Sequence, residues 1–306
     1  MKTSSNKALY FLSHPKNLIL GALYHLAPYI SDKTYLRLVY YFHTGKRLNL
    51  KDPKCFNEKL QWLKLYNRRP EYTQMVDKYG VKDFVAQRVG GEYIIPTLGV
   101  WDSFDEIDFS TLPQKFVLKT THGGGGGGVV ICRDKNSFDI GKARERLNRS
   151  MADDCFTKTR EWPYKNVRHR ILAEELIEKK DNSDLPDYKF FCFDGEVKAL
   201  FVGSERQSGD VKFDFFDAEF NHLDIIQYHP MSSNKFEKPR NFEKMKELAA
   251  KLSEGLPHAR IDLYDTGDRV YFGEITFFHH GGITPFHPEE WDYTFGSWLK
   301  LPPKTG

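Results

Sequence analysis

Apolar and polar positions alternate along two runs near the C-terminus, Arg260-Ile-Asp-Leu-Tyr264 and Val270-Tyr-Phe-Gly-Glu-Ile-Thr276. A polar segment beginning Asp265-Thr-Gly-Asp separates them. Period-two alternation predicts the two strands of a hairpin. On the first strand Arg260, Asp262 and Tyr264 share one face, and Ile261 and Leu263 take the other. On the second, Phe272, Glu274 and Thr276 share a face. A loop with an odd number of residues, Asp265 to Arg269 for example, would turn Asp262 and Glu274 to the same side.

The same patterning predicts further strands. Phe116–Lys119 and Val129–Cys132 are short and apolar. Tyr93–Trp101 contains Pro96 and is expected at a sheet edge. Arg168–Ile177 reads as a strand ending in a polar connector. Asp187–Phe193 and Lys198–Val202 form a hairpin about Asp194-Gly195. Helical spacing is predicted over Met75–Val89, where Asp77 and Lys78 are displayed and Lys82 lies one turn beyond Lys78. It recurs at Ile140–Met151, at Phe242, Met245, Leu248, Ala249 and Leu252, and in a short closing helix within Glu289–Leu299. Asn57-Glu-Lys-Leu-Gln-Trp reads as a helix start, with Asn57 as cap and Phe56 just before it. Residues 1–50 place aromatic and aliphatic side chains among lysines at helical spacing. They are expected to pack on the protein's own body, with peripheral membrane contact as the alternative.

Composition narrows the class. The 306 residues suffice for one large domain or two or three lobes. Charged residues at 28% and apolar ones at 40% describe a soluble globular chain. A formal charge of +3 gives no case for nucleic acid and is compatible with a locally basic pocket for anions. Cys55, Cys132, Cys155 and Cys192 form no CxxC pair, so reduced thiols in the cytoplasm are expected rather than a disulfide framework or a zinc site. No apolar run reaches the roughly 20 residues that span a bilayer. Leu18 to Leu26 is interrupted by Tyr24 and His25 and is followed by no small-residue cleavage site, so a signal peptide is not expected.

Two features carry chemistry. Six consecutive glycines, Gly123 to Gly128, follow His122 between two predicted strands. Such a run is entropically costly, and a plain hairpin needs only two loop residues. It suits a place where bare backbone N–H groups close over phosphate oxygens, and Lys119 on the entering strand could reach the same anion. No Gly-Lys-Ser/Thr follows, so it is not a Walker loop. The second feature is the pair Asp262 and Glu274 beside Arg260. Two carboxylates on one hairpin face repel, and Mg²⁺, which binds through one or two carboxylates plus substrate phosphates, would relieve that. The neighbouring His279 and His280 are expected to point to opposite faces of a strand, which disfavours a joint metal site and favours packing or substrate contact.

Taken together, several motifs resemble the ATP-grasp superfamily and, more closely, its TupA-like family, named for teichuronopeptide biosynthesis. They are Asn57-Glu-Lys-Leu-Gln-Trp, Asp77-Lys-Tyr, Leu112-Pro with Phe116-Val-Leu-Lys-Thr-Thr-His, Glu174-Glu-Leu, Asp187-Tyr-Lys-Phe-Phe-Cys-Phe-Asp-Gly, Arg260-Ile-Asp-Leu-Tyr and Phe272-Gly-Glu-Ile-Thr-Phe. The resemblance runs from about Lys46 to Leu301. It implies an α+β ATP-grasp fold whose two lobes clasp ATP. A helical N-terminal region would cover residues 1–75 and the ATP-grasp domain residues 76–306, with lobes at about 100–172 and 173–300. It also implies ATP and Mg²⁺ as cofactors. Lys82, Lys119 and Gly123, Gly124, Gly125 and Gly126 would meet the phosphates. The connector Glu174, Glu175, Leu176 and Ile177 would meet the adenine edge, and Asp187, with Lys189 of the same motif, the nucleoside. Asp262, Glu274 and Thr276 would hold the metal, Thr276 standing where the family's third ligand is usually Asn. Arg260 and His122 would be catalytic.

The activity so implied is amide formation from a carboxylate and an amine through an acyl phosphate, on a glycan or small-molecule acid of a cell-surface polymer. The location implied is cytoplasmic, or peripheral at the inner membrane face. A capsule-assembly kinase or glycosyltransferase, and a non-catalytic nucleotide-binding protein, are the alternatives.

Overall fold

The computed structural model describes residues 15–124, 127–180, 185–205, 209–233 and 236–305, and among residues 15–17 the backbone only. Helices α1 (Pro15–Leu26), α2 (Asp32–Thr44), α3 (Phe56–Tyr66), α4 (Glu71–Val76) and α5 (Val81–Val89) come first. The expected single helix over Met75–Val89 is broken at Asp77–Gly80. Asp77 has an extended backbone, and its carboxylate accepts from Tyr79 N and pairs with Arg170, while Lys78 N donates to Thr121 O. An Asp that captures its own downstream N–H competes with the helix ladder. Lys78 and Lys82 therefore do not share a helix face.

Next come β1 (Thr97–Trp101), β2 (Phe116–Thr120), β3 (Val129–Cys132), α6 (Ile140–Met151), α7 (Cys155–Thr159) and β4 (Ile171–Glu175). The strands form an antiparallel sheet in the order β1-β4-β2-β3, with β1 at an edge as its proline predicts. Asp139 caps α6 by accepting from Lys142 N. Leu147 and Ala143 of α6 cover Phe116, Leu118, Ile171 and Ala173 on one face of the sheet. Strand alternation then turns Lys119 and Glu174 to the opposite face.

The rest of the chain builds β5 (Asp187–Phe193), β6 (Glu196–Ser204), β7 (Lys212–Asp217), β8 (His222–Leu223), α8 (Phe242–Ser253), β9 (Ala259–Asp265), β10 (Val270–Thr276) and α9 (Glu290–Trp298). These strands make a second antiparallel sheet, β10-β9-β5-β6-β7-β8. Asp194 and Gly195 both have positive φ, 49° and 81°, which the tight turn between β5 and β6 demands. One face packs on α8 through Phe190 and Phe242. The other packs under α3 and α9, where Phe56 meets Phe191, Phe286 and Phe295. Leu23, Leu36, Leu60 and Met75 of the N-terminal helices belong to the same buried cluster as this sheet.

Asn57 is not the cap of α3. The helix begins at Phe56, and the cap position, Cys55, makes no side-chain capping bond. Asp292 of α9 accepts from Asn57 N at 2.9 Å, while the Asn57 amide reaches Asp292 and Thr284 O. One turn on, Gln61 donates to Gly281 O and Gly282 O, and Lys64 donates to Gly281 O and Thr159 O. Asn57, Gln61 and Lys64 thus form a buried polar stripe at helical spacing.

Candidate active site

The α8-opposed face of β9 carries Arg260 and Asp262, and β5 and β10 flank it. Lys189 and Glu274 are the direct cross-strand partners of Asp262 on either side. The hairpin loop is not the odd one expected: Val270 pairs with Asp265, so four residues, Thr266 to Arg269, connect the strands. The register is corrected by a bulge at Gly273, between the pairs Phe272–Leu263 and Glu274–Asp262. A Cβ at Gly273 would stand 3.0 Å from Asp262 O, so only glycine fits the bulge comfortably.

Charge is tightly paired here. Arg260 forks onto Asp262, Nε to Oδ1 at 2.7 Å and Nη2 to Oδ2 at 2.8 Å. The same Nη2 reaches Glu274 Oε1 at 3.3 Å and Thr276 Oγ1 at 3.0 Å. Lys189 bridges Asp262 and Asp187, the latter at 2.7 Å. Burial alone would lower the pKa of Arg260, but the Asp262 carboxylate outweighs it and raises it.

Three hard oxygen ligands, from Asp262, Glu274 and Thr276, therefore converge on one cationic nitrogen. That donor set suits Mg²⁺ sharing the site with substrate phosphates, once Arg260 yields the position. Among the described residues no three His, Cys, Asp or Glu side chains gather into a metal cluster.

His279 and His280 do not lie on a strand. They open a short 3-10 turn, His279–Gly282, in which His280 has φ 46°, and their rings are 4.2 Å apart. Arg260 Nη1 lies 2.9 Å from His279 Nδ1, and His279 Nε2 lies 2.7 Å from Gln227 Oε1. Arginine only donates, so Nδ1 accepts and Nε2 carries the proton. Burial, with positive neighbours, holds His279 neutral by lowering its pKa well below the ordinary value. His279 thus fixes the plane of the Arg260 guanidinium.

Cations cluster on the small sheet. Lys82 and Lys119 both pair with Glu174, at 2.7 and 2.5 Å. Lys82 also donates to Ile95 O and Thr97 Oγ1. Burial lowers the pKa of Lys82, and Glu174 offsets this in part. For Glu174 burial pushes upward, yet the two ammonium groups prevail and its pKa is lowered. Sequence reasoning placed Glu174 in the connector with Glu175, Leu176 and Ile177; strand β4 in fact extends through Glu175, and the Glu174 side chain serves the lysines. Lys78, for which the motifs imply no site role, reaches Gly123 O at 2.5 Å and feels both Glu274 and Lys119. It links the entrance of the glycine run to the acidic hairpin. Gly123 and Gly124 follow β2; Gly125 and Gly126 lie outside the described residues. His122 is buried, its ring bonded to Ser150 O at 3.0 Å and stacked on His169 at 3.4 Å. Burial, then the second imidazole, depresses its pKa to about 4.

A model of the TupA-like ATPgrasp family matches residues 58–300. No curated protein sequence matches the chain. Among solved structures, similarity is found to the ATP-grasp ligase PsnB complexed with minimal precursor. The identity is 10%, the match covers 69% of this chain and 55% of that one, and the TM-score is 0.39. D-alanine--D-alanine ligase from Bacillus anthracis gives 15% identity, 66% and 57% coverage and a TM-score of 0.39. The same enzyme from Helicobacter pylori gives 16%, 74%, 61% and 0.39. The chain spans somewhat over half the length of these structures.

Proposed function

The chain belongs to the TupA-like ATP-grasp family, and on that premise we propose that it is an ATP-dependent carboxylate–amine ligase, forming an amide through an acyl phosphate on a cell-surface polymer precursor. The convergence of Asp262, Glu274 and Thr276 oxygens on one Arg260 nitrogen is the observation that carries the proposal.

The polyphosphate of ATP would take Lys82 and Lys119 from Glu174, exchanging one set of charge-assisted bonds for another. The backbone of Gly123 to Gly126 would close over it, with Lys78 anchoring the loop entrance and His122 fixing its base on Ser150. Glu174, Glu175, Leu176 and Ile177 would border the adenine, and Asp187 and Lys189 the sugar. Asp262, Glu274 and Thr276 would hold Mg²⁺, which supplies charge neutralisation on the phosphates. Arg260, held in plane by His279 and Gln227, would fork onto the acyl-phosphate oxygens and the tetrahedral species, where negative charge develops. Closing the glycine loop would keep water from the acyl phosphate.

The substitution Arg260→Lys tests this assignment. Lysine keeps the charge and loses the fork, so calorimetric affinity for ATP–Mg²⁺ should stay close to the parent's while amine-dependent ADP release falls steeply. If affinity collapses in step with turnover, Arg260 serves nucleotide binding or structure and not the acyl transfer.

A further inference from the structure

Among the described residues, the buried acids have side-chain or backbone partners for their carboxylates, with Glu161 as the exception. Glu174 has two lysines, Asp262 an arginine and a lysine, Asp77 has Arg170, and Asp292 has Asn57. Glu161 is only 8% exposed, yet its carboxylate accepts no hydrogen bond and forms no ion pair among the described residues; only its backbone is engaged, the N–H donating to Thr159 Oγ1 and the carbonyl accepting from Tyr164 N. Burial still penalises its charged form, and a ligand cation would offset that.

The surroundings define what that would be. Lys64, the nearest ammonium, is spent on Thr159 O and Gly281 O. Glu161 Oε1 and Lys64 Nζ lie 3.6 and 3.8 Å from the point a Gly281 Cβ would occupy, so both flank the bare backbone of this glycine. Gly281 has φ 62°, which disfavours any side chain there. On its other side Glu161 feels Arg260, and Tyr164, in the 3-10 turn that follows Glu161, feels Glu161, Glu274 and Arg260 together. Glu161 and Tyr164 therefore lie within electrostatic reach of the guanidinium proposed to hold the acyl phosphate.

We propose that Glu161 is the amine-binding group of this site. A primary ammonium would sit between Glu161, Gly281 and Tyr164, presenting its nitrogen toward Arg260. The inference rests on the ligase reading above. In the step, the Glu161 carboxylate takes one N–H proton and the freed lone pair forms the C–N bond. The C–O bond to phosphate breaks, and inorganic phosphate leaves with the second proton. Burial raises Glu161 to about 7, so near neutral pH the carboxylate both binds a cation and accepts its proton.

Two nucleophiles of similar size separate the possibilities. Ammonium chloride must surrender a proton before it attacks; hydroxylamine is already neutral at pH 7 and traps acyl phosphates as hydroxamates. Both are supplied to parent and Glu161→Gln protein with ATP–Mg²⁺, using glucuronic acid and the common amino acids as carboxylates. Glutamine keeps the shape, and circular dichroism checks the fold. The ratio of ammonia-dependent to hydroxylamine-dependent product should fall about 100-fold in Glu161→Gln, with partial recovery in Glu161→Asp. A parallel fall of both products, or no change in their ratio, overturns the assignment. If the parent yields no hydroxamate from any of these acids, the ligase reading fails first and the proposal falls with it.

Discussion

Glu174→Gln isolates the charge lock on the small sheet. Glu174 is 4% exposed and holds two ammonium groups that are themselves mostly covered, so solvent screens little of the interaction. Removing one partner of a buried pair costs about 3–5 kcal/mol. Lys82 keeps its bonds to Ile95 O and Thr97 Oγ1, so the low end applies, about 3 kcal/mol. For a chain of this size that corresponds to a melting point about 5 °C lower. The sign with pH follows from the lowered pKa of Glu174. Its stabilisation is complete above the ordinary glutamate value of about 4.3 and is lost as pH falls through the lower folded value. Thermal melts of parent and variant followed by circular dichroism should therefore differ fully at pH 8 and converge toward pH 3. Saturating ATP–Mg²⁺ should narrow the gap at pH 8, because phosphates replace the missing carboxylate. An equal gap at pH 8 and pH 3, or none at either, would show that Glu174 does not hold the lysines as an anion.

Glu274→Gln should lower ADP release by orders of magnitude with an unchanged circular dichroism spectrum, because one carboxylate of the proposed Mg²⁺ set is neutralised; normal turnover at limiting Mg²⁺ would remove Glu274 from that set. Gly128→Ala should destabilise the glycine-run hairpin by about 1–3 kcal/mol, since the added Cβ would overlap Thr120 Oγ1 and Ser150 Oγ. Denaturant melts check this, and an unchanged midpoint would show that β3 can shift to make room.

Local pattern determined much of this protein. Ile140–Met151, Phe242–Ser253, the β5–β6 hairpin and the strands around the glycine run follow from spacing and turn chemistry that neighbours in sequence enforce on one another. The motif set likewise pointed to the family and, through it, to Asp262, Glu274 and Arg260 as one group, and the structure brings these three together. The facing of Asp262 and Glu274, however, comes from a bulge at Gly273 and not from an odd loop, because pairing register depends on the partner strand as well as the strand's own alternation.

Other features were decided only in three dimensions. The break at Asp77 depends on Arg170, 93 positions away, and on Thr121. Asn57 reads as a helix cap in sequence, yet it, Gln61 and Lys64 are buried because backbone carbonyls of the 281–284 turn and Asp292 need partners there. Glu174 reads as a connector residue until Lys82 and Lys119 arrive from a helix and a neighbouring strand. His279 becomes the orienting partner of Arg260 only because the chain leaves the strand after Thr276 and turns back. Glu161 carries no sequence signal at all: its isolation is a property of the space around it, which no pattern along the chain records.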